Sequence, residues 1–358
     1  MYRSYLLPAD SSPALATPQA PAFDLKSQHN IKALVIDLRG NPGGLLIESV
    51  KICNLFINKG ESVVSTKGKV AQWDKTYTAY NDPIDTEIKI AVLVNRSSAS
   101  ASEIVAGCIQ DLDRGLVVGQ RTFGKGLVQT TRDLSYNGIL KVTTAKYYIP
   151  SGRCIQAINY THRNEDGSVG SVPDSLVTAF KTRNGRIVYD GGGVMPDVNI
   201  EPELLSNIAT SLIIKNLIFD YAVLYKQNNP EIASPEKFAL SDNEYQDFVD
   251  WLQDKDFDYE TKTEEGLKKL IETSKNEKYY DSAIGELEIL SQKFAHDKNK
   301  DLMMFKNEIK DLLSQEIIVK YYYDRGVIIY GLKNDPEVRT ALESLKDEPN
   351  YKKLLGIK

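Results

Sequence analysis

KIAVLVNRSSASASEIVAGCIQDLDRGLVVG, residues 89–119, holds a strand, a turn, a helix and a second strand. KIAVLVN (89–95) is an unbroken apolar run of strand length, and GLVVG (115–119) is another. Between them, SEIVAGCIQDL sets Ile104, Val105, Cys108 and Ile109 on one helical face. Strands that read as continuous apolar runs are covered on both faces, which is the habit of parallel sheets with crossover helices. Upstream, IKALVIDL (31–38) is a strand of the same kind, followed by RGNPGG and by LLIESVKICNLFI at helical spacing. Downstream, LVQTTRDL, GILKVTTAKYYIP and GRIVY are β-ribbons, with a hairpin signal at Tyr136, Asn137 and Gly138. From Glu203 the pattern is helical almost throughout, as in LLSNIATSLIIKNLIFDYAVLY. The expected fold is α/β, a mostly parallel sheet core with β-ribbons, plus an all-helical C-terminal domain. The expected division is a flexible, Pro/Ala/Ser-rich lead-in over 1–22, a core over 23–203 and a helical domain over 204–358.

Composition narrows the function. The 358 residues are 42% hydrophobic and 26% charged, as in ordinary globular proteins. A formal net charge of −5 leaves no basic footprint for nucleic acid. Cys53, Cys108 and Cys154 are odd in number and widely spaced, so they read as buried free thiols, with no disulfide framework and no metal site. No apolar run approaches the ~18–20 residues of a membrane span. Tyr5, Leu6 and Leu7 are too short a block for a secretory signal.

GQRTFGKG (119–126) follows a strand and imitates a phosphate-binding loop, but Gly126 stands where that loop needs Ser or Thr for magnesium. The continuation GLVQTTRDL is β-like, whereas phosphate binding calls for a helix N-terminus at the lysine. No nucleotide or other cofactor is expected. The serine cluster NRSSASASE (95–103) precedes a helix, where a nucleophile gains from exposed amides and the helix dipole, and where serine is equally at home as a cap. His29, His162 and His296 lie in polar settings, so the better base for an activated serine is a lysine.

LVIDLRGNPGG (34–44), LVNRSSASASEIVAGCIQDLDRGLVVGQRTFGKGLVQ (93–129), TAKYYIPSGRCIQ (144–156) and DGGGVMPDV (190–198) together resemble the carboxyl-terminal processing peptidases, or tail-specific proteases. The resemblance implies a crotonase-like core and a serine endopeptidase that cleaves proteins near their C-termini through an acyl-enzyme, with proteins or peptides as partners. It implies Ser100 as nucleophile, Lys125 as general base and Gln129 as the group that orients the lysine amine. It implies an oxyanion hole from the amide of Ala101 and that of Gly43 or Gly44, between which the sequence does not choose. It also implies a periplasmic or cell-envelope location. The chemistry explains the residue types. An ordinary lysine, with a pKa near ~10.4, is protonated at neutral pH, and burial can bring a lysine base to ~7–8.

Other features are secondary. Asp37 and Arg39 are expected to pair and hold the oxyanion turn. Tyr147, Tyr148 and Arg153 are expected to support the core. Ser234 of SPEK (234–237) is expected to cap a helix with Pro235 in its first position. Tyr321, Tyr322 and Tyr323 are expected on a helix face. The helical C-terminal region is the expected place of self-association. Only about 30 residues precede Ile31, too few for the PDZ domain the family usually carries, and FDLKSQHN (23–30) is left as a helix remnant. Two alternatives follow: a truncated, catalytically impaired fragment, and an acyl-CoA-handling crotonase relative, which would give Ser100, Lys125 and Gln129 no role.

Overall fold

The computed structural model describes residues 3–7, 14–15, 31–163, 169–295 and 297–357. His29, His296 and the 23–30 segment lie outside them, as does the side chain of His162. The chain forms two compact units, Met1–Pro202 with Asp335–Lys358, and Glu203–Asn334.

The first unit is built on a six-stranded sheet of β1 (Arg3–Leu7), β2 (Ala14–Leu15), β3 (Ala33–Asp37), β6 (Lys89–Val94), β7 (Leu116–Gly119) and β14 (Val198–Asn199), in the order β14-β7-β6-β3-β1-β2. The pairs β14/β7, β7/β6 and β6/β3 are parallel, in register Ala33↔Lys89 and Ala91↔Leu116. The lead-in, expected to be flexible, supplies β1 and β2, which extend the sheet antiparallel beside β3.

The β3 and β6 runs are apolar on both faces because both faces are covered. Leu34, Ile36, Ile90, Val92 and Val117 share one apolar cluster with α1 (Leu46–Asn54) and α2 (Ala101–Asp111), the helices that follow β3 and β6. The alternate residues Val35, Ala91, Leu93, Leu116 and Val118, all 0% exposed, point the other way. There α10 (Pro336–Lys346) lies on β3, β6 and β7, burying Val338, Ala341 and Leu345. Next to it, Tyr351 in α11 (Glu348–Leu354) accepts a hydrogen bond from the Ile90 amide at 3.2 Å. A helical pattern shows that a face is apolar but not which surface it meets. The continuous 204–358 domain read from the sequence is therefore corrected: Asp335–Lys358 belongs with the sheet.

A second, antiparallel sheet runs β5-β4-β9-β8, from β4 (Ser62–Gly68), β5 (Lys75–Thr78), β8 (Leu127–Asp133) and β9 (Ile139–Tyr148). The β8/β9 hairpin turns at Tyr136 and Asn137, both with φ near +60° as the YNG signal expects. Two short ribbons, β10 (Ile158–Arg163) with β11 (Val169–Ser171) and β12 (Ala179–Lys181) with β13 (Ile187–Tyr189), complete the unit.

The second unit is helical: α3 (Asn207–Ile214), α4 (Leu217–Asn228), α5 (Asp242–Trp251), α6 (Lys262–Asn276), α7 (Tyr280–Phe294), α8 (Lys298–Met304) and α9 (Lys306–Gly331). Its core gathers Tyr221, Tyr245, Phe248, Leu313 and Ile317. Tyr321 and Tyr322 lie partly buried on α9, whereas Tyr323 is exposed at φ +55°. Ser234 does not start a helix. Its carbonyl closes a turn with the amides of Lys237 and Phe238, both at 2.8 Å. Among the described residues no single helix is long and apolar enough to cross a membrane.

Candidate active site

Three loops converge at the carboxyl ends of β3, β6 and β7. The turn after β3 carries Asp37 to Gly44. Arg39 donates to both carboxylate oxygens of buried Asp37, from Nε at 3.0 Å and from Nη2 at 2.7 Å, as the sequence suggested. Its guanidinium also pairs with Asp335 and Glu337 at the start of α10. The turn after β6 is tied to the first one: Ser98 Oγ donates to the Leu38 carbonyl at 2.7 Å, and the Ala99 amide to that of Asn41 at 3.0 Å.

These ties press Gly43 against the serine turn. A Cβ there would lie 2.5 Å from the Ala99 carbonyl oxygen and 2.7 Å from the Ala101 nitrogen, and φ is +94°. Only glycine allows both the conformation and the approach. The Gly43 amide donates to Asn41 Oδ1 at 3.0 Å, whereas the Gly44 and Ala101 amides have no acceptor among the described residues. Ser100 occupies the N-cap of α2 at φ 57° and ψ −116°, a sparsely populated conformation of the kind that gathers at functional sites.

Glu103, one turn into α2 and 0% exposed, is the residue that the sequence reading missed. Its Oε2 accepts from the amides of Ser100 and Lys125, each at 2.8 Å, and its Oε1 from Thr122 Oγ1 at 2.6 Å and the Gly124 amide at 2.7 Å. The Ser100 and Lys125 nitrogens thus lie no further apart than twice 2.8 Å. Burial pushes the Glu103 carboxyl above its ordinary value, and its four donors pull against that shift. The S-x-x-E spacing of a capping box was the available signal. The TFGKG loop is also held from its far side, where Gly126 donates to Gln156 Oε1 at 2.8 Å. Beyond it the chain enters β8 and not a helix, so no dipole faces the lysine as phosphate binding would require.

The expected side-chain pair is not joined. The Lys125 side chain is exposed rather than buried, and its amine has no hydrogen-bond or ion-pair partner among the described residues. Burial pushes the Tyr147 phenol above its ordinary value. Gln129 is exposed on the edge strand β8 and lines a cleft of about 690 Å³ with Leu127, Lys146, Gln156 and Asp190. The backbone frame brings Ser100 and Lys125 together, while their side chains make no hydrogen bond with each other. Arg153, 1% exposed, pairs with Asp111 at 2.9 Å and donates to Gln110 at 2.6 Å, a supporting role at the end of α2.

Two stretches of the chain match known protein families. Residues 20–163 match peptidase family S41, and residues 208–345 match the C-terminal helical domain of probable PDZ-proteases. The chain is 46% identical over 146 residues to a carboxy-terminal-processing protease of Bartonella bacilliformis, covering 40% of this chain and 33% of that one. It is 45% identical over 128 residues to a probable CtpA-like serine protease of Staphylococcus aureus, covering 35% of this chain and 25% of that one. The chain thus spans a third or less of the length of these relatives. The solved photosystem II D1 C-terminal processing protease is 30% identical, with a TM-score of 0.40 over 57% of this chain and 49% of that chain. By its ordered motifs and the family and sequence matches, residues 20–163 are similar to the peptidases of family S41, among them carboxy-terminal-processing proteases.

Proposed function

We propose that the chain carries the catalytic core of a serine endopeptidase acting on protein substrates near their C-termini. The observation that carries this reading is the Glu103 carboxylate, which binds the backbone of Ser100 and of Lys125 through one oxygen. A capping box accounts for the bond to Ser100 alone; the second bond, to Lys125, joins the two loops, and a serine nucleophile with a lysine base needs both backbones fixed.

Ser100 is the nucleophile and Lys125 the base that must be neutral when it takes the serine proton. In the structure Lys125 is exposed, so the substrate chain, lying over β8 and the cleft, supplies the desolvation and turns the lysine amine toward the Ser100 hydroxyl. Gln129 then accepts from the lysine amine and fixes its direction. The Ala101 amide and a glycine amide of the 43–44 turn face the tetrahedral oxyanion, where each donor is worth roughly 10²–10³ in rate. Of the two, Gly44 has the free N–H, and Gly43 supplies the close approach. The lysine returns the proton to the leaving amine, and water hydrolyses the acyl-enzyme.

Cleavage of an unstructured protein substrate by the full chain tests this. Ser100→Ala abolishes turnover, and Lys125→Ala lowers it roughly 10²–10⁴-fold, with circular dichroism unchanged. Cleavage that survives both substitutions in folded protein overturns the mechanism. The exposure of Lys125 favours a second reading, a latent arrangement: a fluorophosphonate then labels Ser100 slowly by itself and faster with substrate-derived peptide present.

A further inference from the structure

Arg39 opens the turn that carries Gly43 and Gly44, and its guanidinium is gripped from two distant parts of the chain. From the near side Asp37, the buried last residue of β3, accepts from Nε at 3.0 Å and from Nη2 at 2.7 Å, and its Oδ1 also accepts the Arg39 amide at 3.0 Å. From the far side Asp335 pairs with Nη2 at 2.7 Å and Glu337 with Nη1. Glu337 lies 298 residues further along, just where the chain returns from the helical unit to the sheet. The Arg39, Asp335 and Glu337 side chains are all at most 18% exposed.

Asp335 uses its two oxygens for two tasks. Oδ1 caps α10 by accepting the amides of Glu337 and Val338, each at 3.0 Å, while Oδ2 meets Arg39. The helix is itself fixed on the sheet by buried Val338, Ala341 and Leu345. At its other end Lys89 of β6 donates to the Leu345 carbonyl at 3.0 Å and pairs with Glu348. Asp37 alone would tie the guanidinium only to the strand the turn is leaving, so the turn could still swing about that strand end. A planar fork held from α10 as well has its direction fixed. Further along, the turn has lighter ties: the Gly40 amide to Asn95 Oδ1 at 3.0 Å, the Asn41 amide to the Leu38 carbonyl at 3.2 Å and the Gly43 amide to Asn41 Oδ1 at 3.0 Å.

We propose that Asp335 and Glu337 are positioning residues for the oxyanion turn, acting through Arg39, so that the returning end of the chain is a working part of the site. This rests on the reading of Ser100, Lys125 and the 43–44 turn given above. Both carboxylates act through the guanidinium: they set where the glycine amide stands when the oxyanion forms, and substrate binding does not depend on them.

The full chain with Asp335→Asn and Glu337→Gln together tests this, because asparagine keeps the helix cap and glutamine keeps the side-chain length. Hydrogen exchange followed by mass spectrometry on peptides covering 39–44 should quicken roughly 10-fold. With an unstructured protein substrate kcat should fall roughly 10-fold, as an oxyanion donor drifts from its place, while KM stays near that of the parent. Arg39→Lys, which loses the fork, should give a similar fall, and its combination with the double variant should fall less than the two effects multiplied. Glu348→Gln loosens the opposite end of the same segment without touching Arg39, and it should leave both exchange over 39–44 and kcat at parental values. Losses in Glu348→Gln equal to those of the double variant overturn the proposal, as does faster exchange with kcat unchanged. Unchanged exchange over 39–44 in the folded double variant overturns it whatever the activity. If Ser100→Ala still cleaves, the mechanism above falls, and exchange over 39–44 decides the clamp by itself.

Discussion

Replacing Glu103 with glutamine removes one acceptor oxygen from a residue that now receives four hydrogen bonds. If the new NH2 takes the Oε1 side, the Thr122 hydroxyl can turn to accept it, but the Gly124 amide loses its partner. If it takes the Oε2 side, the Ser100 and Lys125 amides are both orphaned. A hydrogen bond to a charged group contributes ≈1.5–3 kcal/mol, and the bonds that remain now meet a neutral acceptor. Relief of the cost of burying the carboxylate offsets part of the loss. The net destabilisation of the loop is about 2–4 kcal/mol, which corresponds to amide exchange roughly 30- to 700-fold faster. Hydrogen exchange followed by mass spectrometry reads this directly on peptides covering 121–126, with peptides from β6 as the internal reference. Turnover should fall with the protection, because the Lys125 backbone is no longer fixed beside Ser100. Unchanged protection of 121–126 in the folded variant would show that the carboxylate does not hold the two loops together.

Gly43→Ala forces a Cβ to within 2.5 Å of the Ala99 carbonyl at a positive φ, so activity and thermal stability both drop, whereas Gly44→Ala, with nothing within 4 Å, leaves the melting temperature near that of the parent. Equal melting temperatures for the two variants would contradict the packing described. Arg153→Met strands the Asp111 carboxylate, whose side chain is 0% exposed, and costs about 3–5 kcal/mol by chemical denaturation. A loss under about 1 kcal/mol would mean the pair is dispensable. The raised carboxyl of Glu103 keeps its proton in the folded chain at pH values where the unfolded chain has released it. Stability therefore falls as pH rises from the ordinary carboxylate value to the raised one. The difference between wild-type and Glu103→Gln stability curves should carry that slope, and a flat difference counts against it.

Local chemistry and periodicity carried much of the fold. The unbroken runs around Val35, Val92 and Val117 could only be strands covered twice, and the YNG turn closed the β8/β9 hairpin as its left-handed preference dictates. Ser100 and Lys125 were legible as candidates because their motifs are contiguous in sequence, and the structure sets their backbones side by side. The other parts depended on residues far apart in the chain. Glu103 carries an ordinary capping spacing, and only the tertiary approach of Thr122, Gly124 and Lys125 turns it into a clasp. The apolar stripe of α10 has the same pattern as the helices before it. Its seat on the sheet was settled by the uncovered face of β3, β6 and β7, and by the Arg39 pairs to Asp335 and Glu337. The exposure of Lys125 was equally beyond the sequence. Sequence fixes what each residue can bond to and which face of its element it occupies, while burial and partnership come from contacts between segments whose separation along the chain carries no such information.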